Sequence, residues 1–213
     1  MKLYGYWRSS ASWRVRIALH WKGLACEHAP VHLRRGEQRT ADYLGLNPQG
    51  LIPTLVDGSF VLGQSLAIIE YLEERWPEPP LLPPDATGRA RVRQLALVIA
   101  ADTHPLQNLG TLQLLESELG VAAEGQQRFA RSVIRRGLAA FEQLLETGRA
   151  GGSYCHGAAP GLADVCLVPQ VYNARRFGLD VEADFPRLAR IALRCLELPA
   201  FSATAPESQP DAE

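Results

Sequence analysis

The sequence predicts two domains in one chain, an α/β domain followed by an all-α domain. In residues 1–76, short stretches with the periodicity of strands alternate with stretches that have helical periodicity, whereas the rest of the chain is helical in pattern. Between them, "WPEPPLLPPDATG" holds five prolines, which excludes a helix or a central strand and indicates a linker at 77–88. The helical domain is then expected over 89–213.

A strand and a helix open the first domain. The strand is predicted over Lys2–Tyr6 and the helix over Ser12–Lys22, with Gly23 at its end. A second strand is expected over 26–33. Because proline cannot donate a hydrogen bond to a neighbouring strand, Pro30 indicates that this second strand lies at the edge of the sheet.

A short helix, a hairpin and a longer helix complete the first domain. The polar stretch 39–46 predicts a helix that an Asn-Pro pair ends. In "LIPTLVDGSFVL", two apolar stretches flank an Asp-Gly pair, which is a strong signal for a hairpin turn. From Ser65, an N-cap residue, a helix with one apolar face runs to Trp76. The order β-α-β-α-β-β-α is that of a thioredoxin-like domain.

The second domain consists of helical patterns and a polar tail. The helical patterns lie in "RARVRQLALVIAADTHPLQNLGTLQLL", "QQRFARSVIRRGLAAFEQLLE", "GLADVCLVPQVYNARRFG" and "FPRLARIALRCLE". The first of them is interrupted at Pro105. The tail from Pro199 to Glu213 is expected to be loosely ordered, because it is rich in polar residues and proline.

The composition argues against several classes of partner. A formal net charge of −1, from 22 basic and 23 acidic residues, does not provide the basic surface that nucleic acid requires. The longest apolar run, 95–101, is far too short to cross a bilayer, and no export signal follows Lys2. The four cysteines include no C-x-x-C pair and are expected to be reduced, and the five histidines lack the spacing of a metal site. We therefore expect a cytoplasmic protein without a metal, membrane or nucleic-acid partner.

A polar turn from Arg8 to Ser12 occupies the place where thioredoxin-like proteins carry reactive cysteines. The backbone N–H groups at the start of a helix are unpaired and the helix dipole is positive there, so the turn favours an anion. Serine cannot exchange disulfides, which excludes redox activity of the thioredoxin kind. Ser9 or Ser10 can, however, donate a hydrogen bond to a thiolate that a ligand supplies, and glutathione is the obvious candidate. The alternative is that either serine only caps the helix.

Two further stretches suit the other groups of glutathione. Pro53 in "LIPT" lies where thioredoxin-like domains commonly have a cis-proline, next to which the Ile52 backbone could pair with an extended peptide. Gln64 and Ser65 in "GQSLAIIEYL" lie at a second helix N-terminus, which suits a carboxylate. A peptide with one thiol and two carboxylates would use all three places.

The motifs "SSASWRVRIAL", "LNPQGLIPTL", "QSLAIIEYLEE", "HPLQNL" and "LADVCLVPQVYNARRFG" together resemble zeta-class glutathione transferases, which include maleylacetoacetate and maleylpyruvate isomerases. The motifs occur in the family's order over about residues 1–200. The resemblance implies the two-domain glutathione transferase architecture, glutathione as cosubstrate and a homodimer.

The resemblance also implies roles for single residues. Ser9 is the leading thiolate donor with Ser10 in support, and Tyr6 is a rival. The residues that would bind glutathione are Ser9, Ser10, Gln38, Ile52, Pro53, Gln64, Ser65, His104 and Asn108. The chain departs from the family in having Ala11 where the motif commonly has cysteine, and Gly161 where a Ser or Thr often caps a helix three residues before an acid, here Asp164.

The reaction implied by the resemblance is a cis–trans isomerisation of a maleyl keto dicarboxylate in aromatic-compound catabolism. The thiolate adds to the cis double bond, the resulting single bond rotates, and loss of the thiolate leaves the trans isomer. Arginine suits the substrate carboxylates because its planar fork binds both oxygens. Arg8 lies beside the turn; helical periodicity does not choose between Arg175 and Arg176, and the resemblance favours Arg176.

Two alternatives compete with this reading. One is a transferase of the same family that acts on 2-halo acids, and the other is a glutathione-binding module without catalysis. A binding module needs no thiolate donor, so Arg8, Ser9 and the Gln64–Ser65 pair argue for an enzyme. Between maleylpyruvate and maleylacetoacetate the sequence does not decide.

Overall fold

Residues 1–148 and 152–213 are described by a computed structural model and form two compact units. The first unit comprises Met1–Leu81 together with Leu196–Glu213, and the second comprises Leu82–Cys195. These units differ from the predicted domains 1–76 and 89–213 at the C-terminal end, because the last 18 residues belong to the first unit.

The first unit contains a four-stranded sheet in the order β2-β1-β3-β4. β1 runs parallel to β2 and antiparallel to β3, and β3 and β4 form a hairpin in which Asp57 pairs with Phe60. Gly58 in the hairpin turn has a φ of +60°, as the Asp-Gly signal predicts. β2 lies at an edge, as Pro30 indicated. The strands are β1 (Lys2–Gly5), β2 (Glu27–Pro30), β3 (Thr54–Asp57) and β4 (Phe60–Gly63).

The helices of the described residues agree with the predicted pattern, with shifted ends. α1 begins at Ser10, two residues before the predicted start, because Ser9 caps it. In chain order the helices are α1 (Ser10–Trp21), α2 (Ala41–Leu46), α3 (Ser65–Arg75), α4 (Ala86–Ala100), α5 (His104–Gln107), α6 (Leu109–Leu119), α7 (Ala123–Thr147), α8 (Leu162–Arg176), α9 (Val181–Asp184), α10 (Pro186–Leu196) and α11 (Pro199–Ser202). Short 3-10 turns cover Leu33–Arg35, Glu37–Arg39 and Pro206–Ser208.

A buried ion pair fixes the beginning of the proline-rich stretch to the first unit. Lys22 Nζ lies 2.7 Å from Glu73 Oε2 and donates to the carbonyls of Trp76 and Pro79. The backbone N–H of Leu81 donates to both carboxylate oxygens of Glu73. The stretch ends before the predicted residue 88, because Asp85 caps α4 by accepting from the Gly88 N–H at 2.8 Å.

The expectation of a loosely ordered C-terminal tail is wrong. Phe201 in α11 is 1% exposed, and Trp13 Nε1 of α1 donates to Thr204 Oγ1 at 3.1 Å. The buried Arg16 side chain donates from Nε to the Thr204 carbonyl at 3.1 Å. One buried aromatic ring and the donors of α1 order the segment, and the polar composition of the tail did not reveal these long-range contacts.

In the second unit, α8 is buried along most of its length and packs against α4. Its N-terminus has the acidic half of a capping box, as expected. Asp164 Oδ2 accepts from the Gly161 N–H and Oδ1 from the Cys155 N–H, both at 2.9 Å. No helix in the described part of the chain is long and apolar enough to cross a membrane.

Candidate functional site: a serine-capped turn and a helix that carries arginine

Ser9 both ends the turn and caps α1. Its Oγ accepts from the Ser12 N–H at 3.2 Å, and its own N–H donates to the Tyr6 carbonyl at 3.0 Å. A hydroxyl has one hydrogen to donate as well as two lone pairs, so accepting from Ser12 leaves its hydrogen available. The role of cap and the role of thiolate donor are therefore compatible in Ser9. Ser10, the first residue of α1, is buried.

Two charged side chains beyond the Arg8–Ser12 turn, one buried and one partly buried, hold this turn. Arg16 Nη2 donates to the Trp7 carbonyl at 2.9 Å and Nη1 to the Tyr6 carbonyl at 3.4 Å. Asp211 Oδ2 accepts from the Trp7 N–H at 3.1 Å. Burial lowers the pKa of the Arg16 guanidinium to about 10, and the nearby Asp211 charge opposes that shift. No pattern in the sequence predicts a role for either residue.

Arg8 and Tyr6 flank the turn in different environments. The Arg8 guanidinium carbon lies 5.1 Å from the centre of the Trp7 ring, which stacks a cation on an aromatic face. Tyr6 is buried, with its ring against those of Trp7 and His32 at 5.8 and 5.3 Å between centres. Of Tyr6 and Ser9, only Ser9 combines a hydroxyl with the amides of a helix terminus.

The loop before β3 presents unpaired backbone groups. The peptide bond between Ile52 and Pro53 is cis, as expected of the fold. The Leu51 carbonyl is held by Tyr43 Oη at 2.7 Å and Asn47 Nδ2 at 2.8 Å, whereas no described residue forms a hydrogen bond with the backbone of Ile52. An extended ligand can therefore pair with Ile52 as an added strand.

Gln38 lies next to this loop. A Cβ on Gly50, whose φ is +60°, would lie 3.2 Å from the Gln38 carbonyl oxygen, so the backbones approach closely here. Gln38 is 8% exposed, and its Oε1 has no hydrogen-bond partner among the described residues. Because a buried polar atom is normally satisfied, this side chain favours a ligand as its missing partner.

The backbone at the start of α3 is strained, and the buried side chain of Arg14 contacts the first residue of this helix. Gln64 has φ +67°, the only positive φ outside glycine in the described residues, and such outliers often mark functional sites. Its Nε2 donates to Gln49 Oε1 at 2.9 Å. Ser65 Oγ accepts from Arg14 Nη1 at 3.3 Å, and the Arg14 side chain is 1% exposed. The helix dipole and this arginine together favour a carboxylate at α3.

In the second unit, the two neighbouring arginines of α8 bind different partners. Arg175 Nη2 forms an ion pair with Glu182 Oε1 at 2.6 Å. Arg176 Nη1 instead donates to Asn173 Oδ1 at 2.8 Å, and Asn173 Nδ2 donates to Gln107 Oε1 at 2.7 Å. Asn173 and Gln107 are not among the residues predicted from the sequence, although the spacing of Asn173 from Arg176 is that of neighbours on one helical face.

His104 and Asn108 bracket α5 in the same unit. His104 is the first residue of α5, and Asn108 Oδ1 caps α6 by accepting from the Thr111 N–H at 3.0 Å. The Asn108 side-chain amide keeps its donor hydrogens after this contact. In the first unit, Arg14 of α1 bonds Ser65 and Gln49 bonds Gln64, whereas the assignment of the predicted residues to one site stays a prediction.

Comparison with known proteins identifies the family. Residues 8–75 match the model of the glutathione S-transferase N-terminal domain, and residues 98–191 match that of the C-terminal domain. The chain belongs to the glutathione S-transferase family.

Similar proteins narrow the class within that family. The chain is 49% identical over 99% of its length to maleylacetoacetate isomerase of Pseudomonas aeruginosa, 98% of which is covered. A solved holo structure of maleylpyruvate isomerase, described as a bacterial zeta-class glutathione S-transferase, is 44% identical with a TM-score of 0.97, and both chains are covered in full. A maleylacetoacetate isomerase from Anaeromyxobacter dehalogenans, solved with dicarboxyethyl glutathione and citrate in its active site, is 48% identical with a TM-score of 0.88 over 100% of this chain and 97% of that one. The expected zeta class is confirmed.

Proposed function

We propose that this protein is a glutathione-dependent cis–trans isomerase of maleyl keto dicarboxylates such as maleylpyruvate or maleylacetoacetate. The observation that carries the proposal is the turn before α1, where Ser9 offers a hydroxyl at a helix N-terminus and Ala11 stands where the family resemblance would lead one to expect a cysteine. The turn is suited to stabilise a thiolate that the chain itself does not supply there.

Three of the protein's four cysteines are poor nucleophiles, and the fourth, Cys166, is buried. Burial raises the pKa of Cys155 and Cys195, and neighbouring Asp164 adds to both shifts. Burial also raises the pKa of Cys26. Because the thiolate is the reactive form, a nucleophile bound at the turn must come from a ligand.

The residues of the first unit fit glutathione as that ligand. The unpaired backbone of Ile52 suits an extended peptide, and the orphaned Oε1 of Gln38 lies beside the same loop. The start of α3, with Gln64 and Ser65, suits a carboxylate. His104 and Asn108 of the second unit are proposed to complete the set.

When bound, glutathione supplies the thiolate whose reversible addition to the cis double bond allows rotation to the trans isomer. Ser9 donates its hydroxyl hydrogen to the sulfur and so lowers the pKa of the thiol, with Ser10 and the α1 amides in support. Arg8 and Arg176 bind the substrate carboxylates by charge-assisted hydrogen bonds, which holds both ends while the middle turns.

A homodimer is proposed as the assembly. The edge strand β4 presents Phe60 and Val61, which are 47% and 39% exposed. Exposed apolar side chains of this size favour burial against another copy. Light scattering should give twice the chain mass, and Phe60→Asp should shift the mass toward one chain; a wild-type monomer at assay concentration would contradict the dimer.

A cytoplasmic location is proposed as well, because the four free cysteines suit a reducing compartment.

A spectrophotometric assay with maleylpyruvate and with maleylacetoacetate tests the function. We expect isomerisation of at least one substrate with glutathione and none without it. S-methylglutathione should inhibit, because it lacks a free thiol. Turnover without glutathione, or faster conversion of a 2-halo acid than of both maleyl compounds, would overturn the proposal.

A further inference from the structure

The ordered C-terminal segment reaches the turn that precedes α1. We call residues 204–211 the C-terminal clamp. Its last residue, Asp211, accepts the Trp7 N–H through Oδ2 at 3.1 Å, and Trp7 directly precedes Arg8 and Ser9. The two bonded residues are 204 positions apart in the chain, so this hydrogen bond joins the C-terminal end of the first unit to the turn near its N-terminal end.

Arg16 binds the same peptide unit from the other side. It donates to the carbonyls of Tyr6 and Trp7, and its Nε donates to the carbonyl of Thr204 in the clamp at 3.1 Å. One buried guanidinium thus joins the turn and the clamp, and the carboxylate of Asp211 lies close enough to compensate its charge. Both backbone groups of Trp7 are held by ionised side chains, which form stronger hydrogen bonds than neutral ones.

The clamp is itself held rigidly against α1. Thr204 Oγ1 accepts from Trp13 Nε1 at 3.1 Å and donates to the Ala200 carbonyl at 2.7 Å. Phe201 is buried beside it. Trp13 and Arg16 lie three residues apart on one face of α1, so the helix that Ser9 caps also anchors the segment that holds Trp7.

We propose that Asp211 is a positioning residue for thiolate formation: by accepting the Trp7 N–H it fixes the turn, and thereby aims the Ser9 hydroxyl at the sulfur. The turn transmits the position, because the Ser9 N–H donates to the Tyr6 carbonyl that Arg16 also holds. A preorganised donor must keep its geometry to within about 0.5 Å to retain its effect. The proposal rests on Ser9 as the thiolate donor proposed above.

The same segment offers a matched control. Glu213, two residues further, contacts His32 Nε2 at 2.9 Å and Arg35 Nη2 at 3.5 Å. It forms no hydrogen bond with residues 6–9 and reaches them only through the His32 ring, which packs against the Tyr6 ring. Loss of the Glu213 side chain removes a contact of the tail but leaves the Trp7 bond. The substitution Asp211→Asn keeps an oxygen that can accept from the Trp7 N–H. It places an amide nitrogen near His28, whose Nδ1 lies 4.0 Å from Asp211 Oδ1.

The test compares Asp211→Ala, Asp211→Asn and Glu213→Ala in the full chain with bound glutathione. The ultraviolet absorbance of the thiolate, titrated with pH, gives the pKa of bound glutathione, and turnover is counted per site titrated with S-methylglutathione, so that unfolded molecules do not contribute. We expect Asp211→Ala to raise that pKa and to lower kcat about tenfold, with the KM for glutathione changed less than about threefold. Glu213→Ala should behave like the wild type, and Asp211→Asn, which keeps the oxygen acceptor but loses the charge beside Arg16, should lie between the wild type and Asp211→Ala.

An unchanged thiolate pKa and kcat per site in Asp211→Ala would overturn the proposal, as would an Asp211→Asn variant that is as impaired as the alanine variant. Ser9→Ala, measured alongside, separates this failure from that of the proposed site. If Ser9→Ala raises the thiolate pKa and Asp211→Ala does not, only the positioning role is wrong. If Ser9→Ala has no effect, the assignment of the thiolate donor is wrong.

Discussion

The turn before α1 and the C-terminal end of α8 both present groups suited to anions, but they are held in different ways. At the turn, the backbone of Tyr6 and Trp7 is bound by the buried Arg16 and the partly buried Asp211, and Ser9 is fixed as a helix cap. On α8, the exposed Arg176 side chain is held through the side chains of Asn173 and Gln107. The first region is fixed by its backbone and the second by a chain of side-chain amides.

Under the proposed function, this difference predicts different contributions of the two regions to catalysis. A donor fixed by backbone contacts needs no reorganisation when charge develops, so it acts on the chemical step. A long arginine side chain on an exposed helix end can follow a carboxylate as the substrate rotates, so it acts on binding. Loss of the Ser9 hydroxyl should therefore lower kcat, whereas changes around Arg176 should raise the KM for the substrate.

The largest expected effect is that of Ser9→Ala on turnover. Loss of one preorganised donor should lower kcat by about 10- to 1,000-fold and leave the KM for the maleyl substrate nearly unchanged. Ser10→Ala is the matched control and should lower kcat less, because Ser10 is buried as the first residue of α1. Steady-state kinetics measure both. If Ser9→Ala keeps the full rate, the serine is only a cap, and Tyr6 becomes the next residue to test.

Loss of Arg176 should act on the substrate instead. Arg176→Met should raise the KM for the dicarboxylate about ten- to a hundred-fold, the value of one charge-assisted contact, while the affinity for glutathione changes little. Arg8→Met should act similarly. Arg175→Met is the control and should be mild, because Arg175 already pairs with Glu182. Greater sensitivity at position 175 than at 176 would contradict the assignment.

The amide chain behind Arg176 should have a smaller effect of the same kind. Asn173→Ala removes the acceptor of Arg176 Nη1, and we expect the KM for the substrate to rise about two- to tenfold with kcat preserved. Glu182→Gln, which releases only Arg175, should leave the KM unchanged. An Asn173→Ala variant that loses kcat instead of substrate affinity would show that α8 acts on the chemical step and would remove the contrast between the regions.

The smallest effect is expected for Ala11→Cys, which restores the cysteine common in the family motif. Since the nucleophile is proposed to come from glutathione, kcat should stay within about twofold of the wild type. A tenfold increase in the rate would mean that a protein thiol at this turn takes part in the reaction.

Local signals made much of the first unit predictable from the sequence. The hairpin depends on an Asp-Gly pair, the edge position of β2 on Pro30, and the start of α1 on a serine that can cap a helix. Each signal acts over a few residues, so a single sequence carries it completely. Even there, the predicted start of α1 at Ser12 is two residues late, because several serines compete for the cap position.

The contacts that hold the turn depend on residues far apart in the sequence. Nothing local connects Asp211 with Trp7, and Arg14 and Arg16 occur in a helix whose pattern does not show that their side chains are buried. The prediction for the tail is wrong for the same reason, since its order depends on Trp13 and Arg16 of α1. The Asn173–Gln107 bond likewise joins α8 to α5 across 66 positions.

The pKa of bound glutathione tests the central claim most directly. The ultraviolet absorbance of the thiolate is titrated with pH in the wild type, Ser9→Ala and Arg176→Met, each saturated with glutathione. The pKa of a free thiol is about 8.5. We expect a clearly lower pKa for glutathione bound to the wild type, a return toward the free value in Ser9→Ala and no change in Arg176→Met. A wild-type value equal to that of free glutathione, or equal values in the wild type and Ser9→Ala, would contradict the account.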